Sequence, residues 1–163
     1  MKYTAAIITA SDKGCAGQRE DVSGAELERL LKEAGFSVVC RTVVPDERAQ
    51  ISAVMTDLCD NKNVDLILTT GGTGFSPRDV TPEATRDVID REVPGIPEAM
   101  RRTNDRAILS RGIAGMRSQT LIINMPGSPK AVRECFDIVR PVLDHAMDIV
   151  TGRGGECGSA PEQ

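Results

Sequence analysis

Two runs of residues are well suited to bind a phosphate group. The first is Gly71, Gly72, Thr73 and Gly74, which follows the apolar segment Asp65–Thr70. Three glycines in four positions let the backbone turn sharply and bring exposed amides close to an anion. The run matches neither the dinucleotide-binding pattern GxGxxG nor the P-loop pattern GxxxxGK[ST]. From composition alone, a phosphate site and a tight turn are both open interpretations.

A second run with the same potential is Pro126, Gly127, Ser128, Pro129 and Lys130. Ser128 can cap a helix that begins at Pro129, which leaves free amides at the positive end of the helix dipole beside the lysine ammonium. The same residues would also make an ordinary helix start. The two interpretations are compatible, and the run is a second candidate anion site.

Asp46 and Asp79 are the carboxylates that stand out, because one follows a predicted strand and the other lies in the long loop after the glycines. Mg²⁺ is usually held by one or two carboxylates together with substrate phosphates, so this pair suits metal-assisted phosphate chemistry. Two alternatives remain open. Asp46 could cap the following helix, and Asp79 could pair with Arg78 or Arg86.

Composition excludes several other kinds of site. A single histidine, His145, leaves no material for a Cys/His pair, a Ser/His/Asp triad or a zinc site with several histidines. Five widely spaced cysteines without a CxxC motif predict reduced thiols. A formal net charge of −4 and an aromatic content of 2 % disfavour a non-specific nucleic-acid binder.

The apolar runs also predict where the protein works. The run Ala5–Ala10 lacks a basic leader and is not a signal peptide. No run approaches the roughly 18 apolar residues of a membrane span. The sequence therefore predicts a cytoplasmic protein without a membrane partner.

Short apolar runs rich in β-branched residues alternate with segments of helical period, which predicts a three-layer α/β fold with a mostly parallel sheet and helices on both faces. The length of 163 residues suits a single domain, predicted over 1–151, and the polar, glycine-rich residues 152–163 predict a disordered tail. The predicted strands are Tyr3–Thr9, Phe36–Val44, Asp65–Thr70 and Thr120–Met125. The predicted helices are Ser23–Ala34, Glu47–Cys59, Thr81–Val88 with Thr81 as its N-cap, Pro94–Arg106 and Lys130–Val150.

Four loops of unusual composition follow predicted strands directly. They cover residues 11–17, 45–46, 71–82 and 126–130. In a parallel sheet such loops all emerge at the carboxyl edge, where open α/β sheets bind their ligands. The sequence therefore predicts one site, at that edge.

Several of these motifs together resemble the MogA/MoaB group of molybdenum cofactor biosynthesis proteins, whose superfamily includes the G domain of gephyrin. The resemblance covers about residues 3–150. The segments that carry it are Ser11-Asp12, Asp21-Val22-Ser23-Gly24, Val44-Pro45-Asp46-Glu47, Thr69-Thr70-Gly71-Gly72-Thr73-Gly74, Arg78-Asp79-Val80-Thr81-Pro82-Glu83-Ala84-Thr85, Ala107-Ile108-Leu109-Ser110-Arg111 and Pro126-Gly127-Ser128-Pro129-Lys130.

The resemblance implies adenylylation of molybdopterin, in which the terminal phosphate of the pterin attacks the α-phosphorus of ATP and pyrophosphate leaves. It implies Mg²⁺ as the metal, a homotrimer or hexamer as the assembly, and other proteins of the pathway as candidate partners. Asp46 and Asp79 match the carboxylates needed for turnover and metal binding. The residues matched to nucleotide or phosphate binding are Gly71, Gly72, Thr73, Gly74, Pro126, Gly127, Ser128 and Lys130. The residues expected at the substrate are Ser11, Asp12, Arg78, Thr81, Ser110 and Arg111.

This activity agrees with the scarcity of histidine, since a phosphate oxygen is already anionic near neutral pH and needs no base to activate it. Two alternatives belong to other functional classes. One is a MoaB-type protein that binds or carries molybdopterin without transferring AMP. The other is a nucleotide or pyrophosphate hydrolase that uses the same phosphate loops.

Overall fold

A six-stranded sheet forms the middle layer of residues 2–153, the part of the chain that the computed structural model describes. The strands are β1 (Thr4–Ala10), β2 (Ser37–Val44), β3 (Leu66–Thr70), β4 (Arg91–Glu92), β5 (Ala114–Arg117) and β6 (Thr120–Met125). Their order across the sheet is β2-β1-β3-β6-β5-β4. The first four strands in this order run parallel, whereas β5 and β4 are antiparallel to their neighbours. The prediction of a mostly parallel sheet is confirmed.

The central strands are buried and mostly apolar because helices cover both faces of the sheet. Every residue of β3 and of β6 is buried. Along β1 the side chains alternate between the two layers, so that Ile7 packs in one core and Ile8 in the other. In the register of the sheet, Ile7 lies beside Leu68, which lies beside Ile123.

Helices cover the two faces unequally. The helices are α1 (Asp12–Cys15), α2 (Val22–Glu33), α3 (Arg48–Asp60), α4 (Thr81–Arg86), α5 (Gly95–Met100) and α6 (Pro129–Thr151). The face that carries Ile7 packs against α2, the end of α5 and α6, and the opposite face packs against α3 and α4. The three-layer prediction is therefore confirmed.

Some local predictions are wrong. The loop over residues 11–17 contains the short helix α1, and neither β4 nor β5 was predicted. The helix predicted over Pro94–Arg106 divides into α5 and a 3₁₀ helix (Asp105–Leu109), because the Asn104 side chain accepts hydrogen bonds from the amides of the two residues that follow Asp105. Thr81 is the first residue of α4 and not its N-cap, a position taken by Val80.

The four predicted loops do emerge together. Strands β1, β2, β3 and β6 run in the same direction, so their carboxyl ends share one edge of the sheet. The chain leaves β1 towards β2 on one side and later returns to place β3 on the other side. That reversal is the topological switch point at which α/β sheets bind ligands.

Two further predictions concern the end of the chain and membrane spans. The predicted disordered tail falls largely on residues 154–163, which lie outside the described residues. Among residues 2–153, no helix combines the length and the apolarity that a membrane crossing requires.

Candidate functional site

Two cavities of about 500 Å³ each lie at the carboxyl edge, on either side of the 126–130 loop. The first, called the acidic cavity, is lined by Asp46, Asp79 and the glycine loop, with Glu20, Asp21 and Arg19 at its other side. The second, called the basic cavity, is lined by Arg101, Arg106 and Lys130, with Glu134 as its acidic residue. Gly127 and Pro129 face the acidic cavity, while Pro126, Ser128 and Lys130 face the basic one. The loop is therefore a wall common to both.

The glycine loop requires glycine at two positions. Gly71 has a φ of +89°, and a Cβ there would lie 2.5 Å from the carbonyl oxygen of Ala10. Gly72 has a φ of +68°, and its Cβ would lie 2.3 Å from Oγ1 of Thr81. Both positions are closed to side chains by backbone conformation and by space. The hydroxyl of Thr81 is buried and has no hydrogen-bond partner among residues 2–153.

The glycine loop and the 126–130 loop are in direct contact. A Cβ on Gly127 would lie 3.4 Å from Cα of Gly71. The Thr70 hydroxyl donates to the carbonyl of Pro126 at 2.7 Å. Ser128 caps α6 as predicted, since its hydroxyl accepts from the amide of Ala131 at 3.2 Å. The two predicted phosphate-binding runs thus form one continuous surface.

Asp46 is held by Asp12, although 34 residues separate them in sequence. The Asp12 amide donates to Oδ2 of Asp46 at 2.9 Å, and the Asp46 amide donates to Oδ1 of Asp12 at 3.0 Å. Ser11 precedes this pair and caps α1 by accepting from the amide of Gly14 at 3.0 Å. Asp46 does not cap α3, whose N-cap is Glu47. The helix-cap alternative for Asp46 is therefore wrong.

Burial raises the pKa of Asp46, and the negative charges of Asp12 and Asp79 raise it further. Asp79 itself accepts a hydrogen bond from the amide of Ser76 at 2.9 Å. A Cβ on Gly74 would lie only 2.9 Å from Oδ2 of Asp79, so the glycine makes room for this carboxylate. The electrostatics of the acidic cavity favour a bound cation.

Neither arginine proposed as a partner of Asp79 pairs with it. Arg78 contacts Asp12 and Glu47 instead, and Arg86 contacts Glu92. The pairing alternative for Asp79 is wrong, and its carboxylate faces the acidic cavity without an ion-pair partner among the described residues.

Arg111 braces the glycine loop. Its amide donates to the carbonyl of Thr73 at 2.9 Å, and its guanidinium donates to the carbonyls of Gly74 at 2.7 Å and Asp79 at 2.6 Å. The same guanidinium forms an ion pair with Glu83 and lowers the pKa of that carboxyl. Arg111 therefore fixes the segment that carries Asp79, and a direct contact with substrate stays a prediction.

The remaining predicted residues lie at the basic cavity. Ser110 lines it, and its hydroxyl accepts from the amide of Gly112 at 3.2 Å. Lys130 has an 82 % exposed side chain and lies 3.9 Å from Glu134. Binding of an anion by this long, exposed ammonium stays a prediction.

Sequence reasoning missed Asn124, a buried residue that joins three elements at the border of the basic cavity. Its amide nitrogen donates to the hydroxyls of Thr69 at 3.1 Å and Thr85 at 2.8 Å, and its amide oxygen accepts from the Ile113 amide at 3.1 Å. It therefore links β3 and α4 to the segment that follows Arg111. The sequence did carry a signal for Asn124, because it is the one side-chain amide in the mostly apolar strand β6. No signal marked the exposed Arg19 and Arg106, which line one cavity each.

The residues present fit Mg²⁺ in one particular way. Among residues 2–153, no group of three or more His, Cys, Asp or Glu side chains is arranged to hold a metal ion. Asp46 and Asp79 instead offer two carboxylates in one cavity, close enough for the charge of Asp79 to raise the pKa of Asp46. Mg²⁺ commonly takes one or two carboxylates and completes its shell with water and substrate phosphates.

The raised pKa of Asp46 predicts a stability effect. Ionisation of Asp46 opposes folding, so the stability of the protein falls as the pH rises from the ordinary aspartate pKa through the raised one. Asp46→Asn is therefore expected to raise the melting temperature of the metal-free protein at pH 7, and this gain should vanish at pH values below the ordinary aspartate pKa.

Asp60→Asn is the control of opposite sign, because the hydrogen bonds from Arg117 lower the pKa of Asp60. It should lower the melting temperature at pH 7. Thermal unfolding with chelator present measures both variants. A melting temperature of Asp46→Asn at or below that of the unmodified protein would contradict the electrostatic account.

Comparison with known proteins gives one consistent result. The sequence profile of a family described as a probable molybdopterin binding domain matches residues 6–145. The molybdopterin adenylyltransferase of Helicobacter pylori strain J99 is 41 % identical over 152 residues, covering 90 % of this chain and 86 % of that protein. Gephyrin of Dictyostelium discoideum is 40 % identical over 166 residues, covering 93 % of this chain and 23 % of gephyrin. The crystal structure of the molybdopterin biosynthesis enzyme MoaB from Thermus thermophilus has a TM-score of 0.88 and 49 % identity, covering 92 % of this chain and 97 % of that one.

Proposed function

Since the chain belongs to the family described as a probable molybdopterin binding domain, we propose that it transfers the AMP group of ATP to the terminal phosphate of molybdopterin and releases pyrophosphate. The relatives named molybdopterin adenylyltransferase support an enzymatic role. The proposal puts the chain in molybdenum cofactor biosynthesis, with ATP and molybdopterin as its two substrates.

The observation that carries this proposal is the pair of cavities with a common wall. Transfer of AMP between two phosphate-bearing molecules requires two adjoining spaces and a surface along which their phosphates meet. The 126–130 loop provides that surface, since it lines both cavities and touches the glycine loop at Gly71. The start of the 23-residue helix α6 adds a positive dipole end at the same place.

In the transfer step, an oxygen of the pterin's terminal phosphate forms a bond to the α-phosphorus of ATP. The bond from that phosphorus to the bridging oxygen breaks, and pyrophosphate leaves with the electron pair. The attacking oxygen is anionic near neutral pH, so no residue has to remove a proton. The work of the protein is to hold two polyanions in line and offset their repulsion.

The residues of the chain divide this work. Asp46 and Asp79 are the proposed catalytic and metal-binding carboxylates, and Mg²⁺ held by them would neutralise charge on the triphosphate. Amides of the glycine loop are proposed to bind phosphate, with Arg111 holding that loop in shape. Lys130, which lines the basic cavity, is proposed to bind the phosphate of molybdopterin, the second substrate.

Other parts of the proposal rest on the sequence and on its family resemblance. They are substrate contacts by Ser11, Thr81 and Ser110, a domain spanning 1–151, assembly as a homotrimer or hexamer, a cytoplasmic location and contacts with other proteins of the pathway. Light scattering of the purified protein measures the assembly directly. A monomeric mass would remove the oligomer from the proposal.

The deciding experiment combines the purified protein with ATP labelled at the α-phosphate, Mg²⁺ and molybdopterin. We expect label to move to the pterin, with one pyrophosphate released for each transfer. Binding of molybdopterin without pyrophosphate release would replace the enzyme by a carrier. Steady ATP hydrolysis in the absence of pterin would instead identify a hydrolase.

A further inference from the structure

We infer that Asp12 and Arg78 are positioning residues that set the orientation of Asp46 for metal binding, instead of contacting substrate themselves. This inference rests on the proposed function, because it assigns Asp46 a metal to bind. It changes the role that the family resemblance implies for both residues.

Both oxygens of the Asp12 carboxylate accept hydrogen bonds from within the protein. Its Oδ1 accepts from the Asp46 amide at 3.0 Å and from Nη2 of Arg78 at 3.0 Å. Its Oδ2 accepts from Nε of Arg78 at 3.0 Å. A carboxylate with protein donors on both oxygens is poorly available to a substrate.

Asp46 is held on one side and open on the other. Its Oδ2 is fixed by the Asp12 amide at 2.9 Å, whereas its Oδ1 accepts no hydrogen bond from residues 2–153. The open oxygen lies towards Gly72, 3.5 Å from the place a Cβ would occupy. One oxygen held and one free is the arrangement that orients a carboxylate for a cation.

Arg78 joins the loops that follow three different strands. It lies in the loop after β3, its bidentate partner Asp12 follows β1, and its second partner Glu47 follows β2, with an Nη2 to Oε1 distance of 2.8 Å. These contacts are half-exposed, so they add little to stability. Their effect is geometric, since they fix the loops that carry Asp12 and Asp46 to the loop that carries Asp79.

The test uses Mn²⁺ as the probe and electron paramagnetic resonance of free Mn²⁺ as the readout, so it does not depend on turnover. Asp46→Asn sets the level expected when the carboxylate is lost. For Arg78→Met and Asp12→Ala we expect Mn²⁺ binding about 10-fold weaker than in the unmodified protein. Asp12→Asn should bind more tightly than Asp12→Ala, because an amide oxygen can still accept from the Asp46 amide.

Arg48→Met is the matched control. Arg48 also forms a bidentate pair, with Asp87 at 2.7 and 2.6 Å, and its side chain is 55 % exposed against 52 % for Arg78. This pair has no link to Asp46. We expect Arg48→Met to keep normal Mn²⁺ binding, and both arginine variants to show similar melting temperatures.

Kinetics separate positioning from substrate contact. Under the inference, Arg78→Met raises the Mg²⁺ concentration needed for half-maximal AMP transfer and leaves the KM for molybdopterin within about 3-fold, a change near 0.65 kcal/mol at most. Unchanged Mn²⁺ binding with a raised KM for molybdopterin would overturn it and return Arg78 to the substrate. Equal Mn²⁺ binding by the unmodified protein and Asp46→Asn would overturn the inference together with the metal site of the proposed function.

Discussion

Asp79→Asn is expected to lower the rate of AMP transfer by about 10²- to 10³-fold while both substrates still bind. Asparagine keeps the shape of the side chain and an oxygen that can accept from the Ser76 amide, so the loop should keep its form. What is lost is the negative charge with which Asp79, a lining residue of the acidic cavity, is proposed to hold a cation. Single-turnover release of pyrophosphate measures the rate, and titration calorimetry measures binding.

Asp90→Asn is the control for this substitution. The Asp90 carboxylate also accepts from a serine amide, that of Ser118 at 2.9 Å, but it belongs to the turn near β4 and lines neither cavity. Its transfer rate should equal that of the unmodified protein. If Asp79→Asn also kept a rate within about 3-fold, a catalytic role for Asp79 would be ruled out.

Gly72→Ala is expected to reduce the free energy of unfolding by about 3 kcal/mol and to remove AMP transfer. The left-handed backbone conformation at φ +68° costs an alanine about 1–2 kcal/mol. The added methyl group would also lie 2.3 Å from Oγ1 of Thr81, an overpacking that costs about 1–3 kcal/mol. Urea unfolding measures the stability, and the labelled-ATP assay measures the transfer.

Two variants separate the contributions of strain and of space. Gly17 has a similar φ of +72° but nothing within 4 Å of its missing Cβ. Gly17→Ala should therefore reduce the free energy of unfolding only by the cost of the left-handed backbone conformation. In a Thr81→Ala background, Gly72→Ala should cost less than in the unmodified protein, since the hydroxyl it collides with is gone. Equal losses for Gly17→Ala and Gly72→Ala would show that packing against Thr81 has no part in the effect.

The central part of the fold could be predicted from sequence because its signals are local. Strands β1, β3 and β6 are short apolar runs, and buried parallel strands look alike in any context. The loops that follow them carry glycine, proline and aspartate, and parallel strands bring such loops to a common edge. The prediction of a site at the carboxyl edge followed from these two facts together.

The hairpin of β5 and β6 could not be predicted because its signals are weak. Its turn contains Ser118 with a φ of +50°, where an Asn-Gly or Asp-Gly pair is the usual signature. Gly115 lowers the strand propensity of β5, yet a Cβ there would lie 2.8 Å from the Arg91 carbonyl oxygen, so the pairing with β4 requires it.

The hydrogen-bond and ion-pair partners of the site side chains also could not be predicted from the sequence. Arg78 and Arg111 were predicted to lie at the substrate, but their partners in the structure are protein carboxylates and carbonyls. These partners lie in parts of the chain distant in sequence from each arginine, so only the folded arrangement decides which charges meet. Thr81 shows the same limit, because its side chain is buried against Gly72 and does not cap α4.

The long helix α6 gives the molecule a favourable geometry for attachment. It begins beside the 126–130 loop and, at about 1.5 Å per residue, its 23 residues carry the chain roughly 34 Å away. Just past its far end, Arg153 pairs with the buried Asp65 at the amino end of the sheet. A dye or an affinity handle attached at position 153 would therefore lie at the end of the sheet opposite both cavities, and protein immobilised through it would present both cavities to the solution.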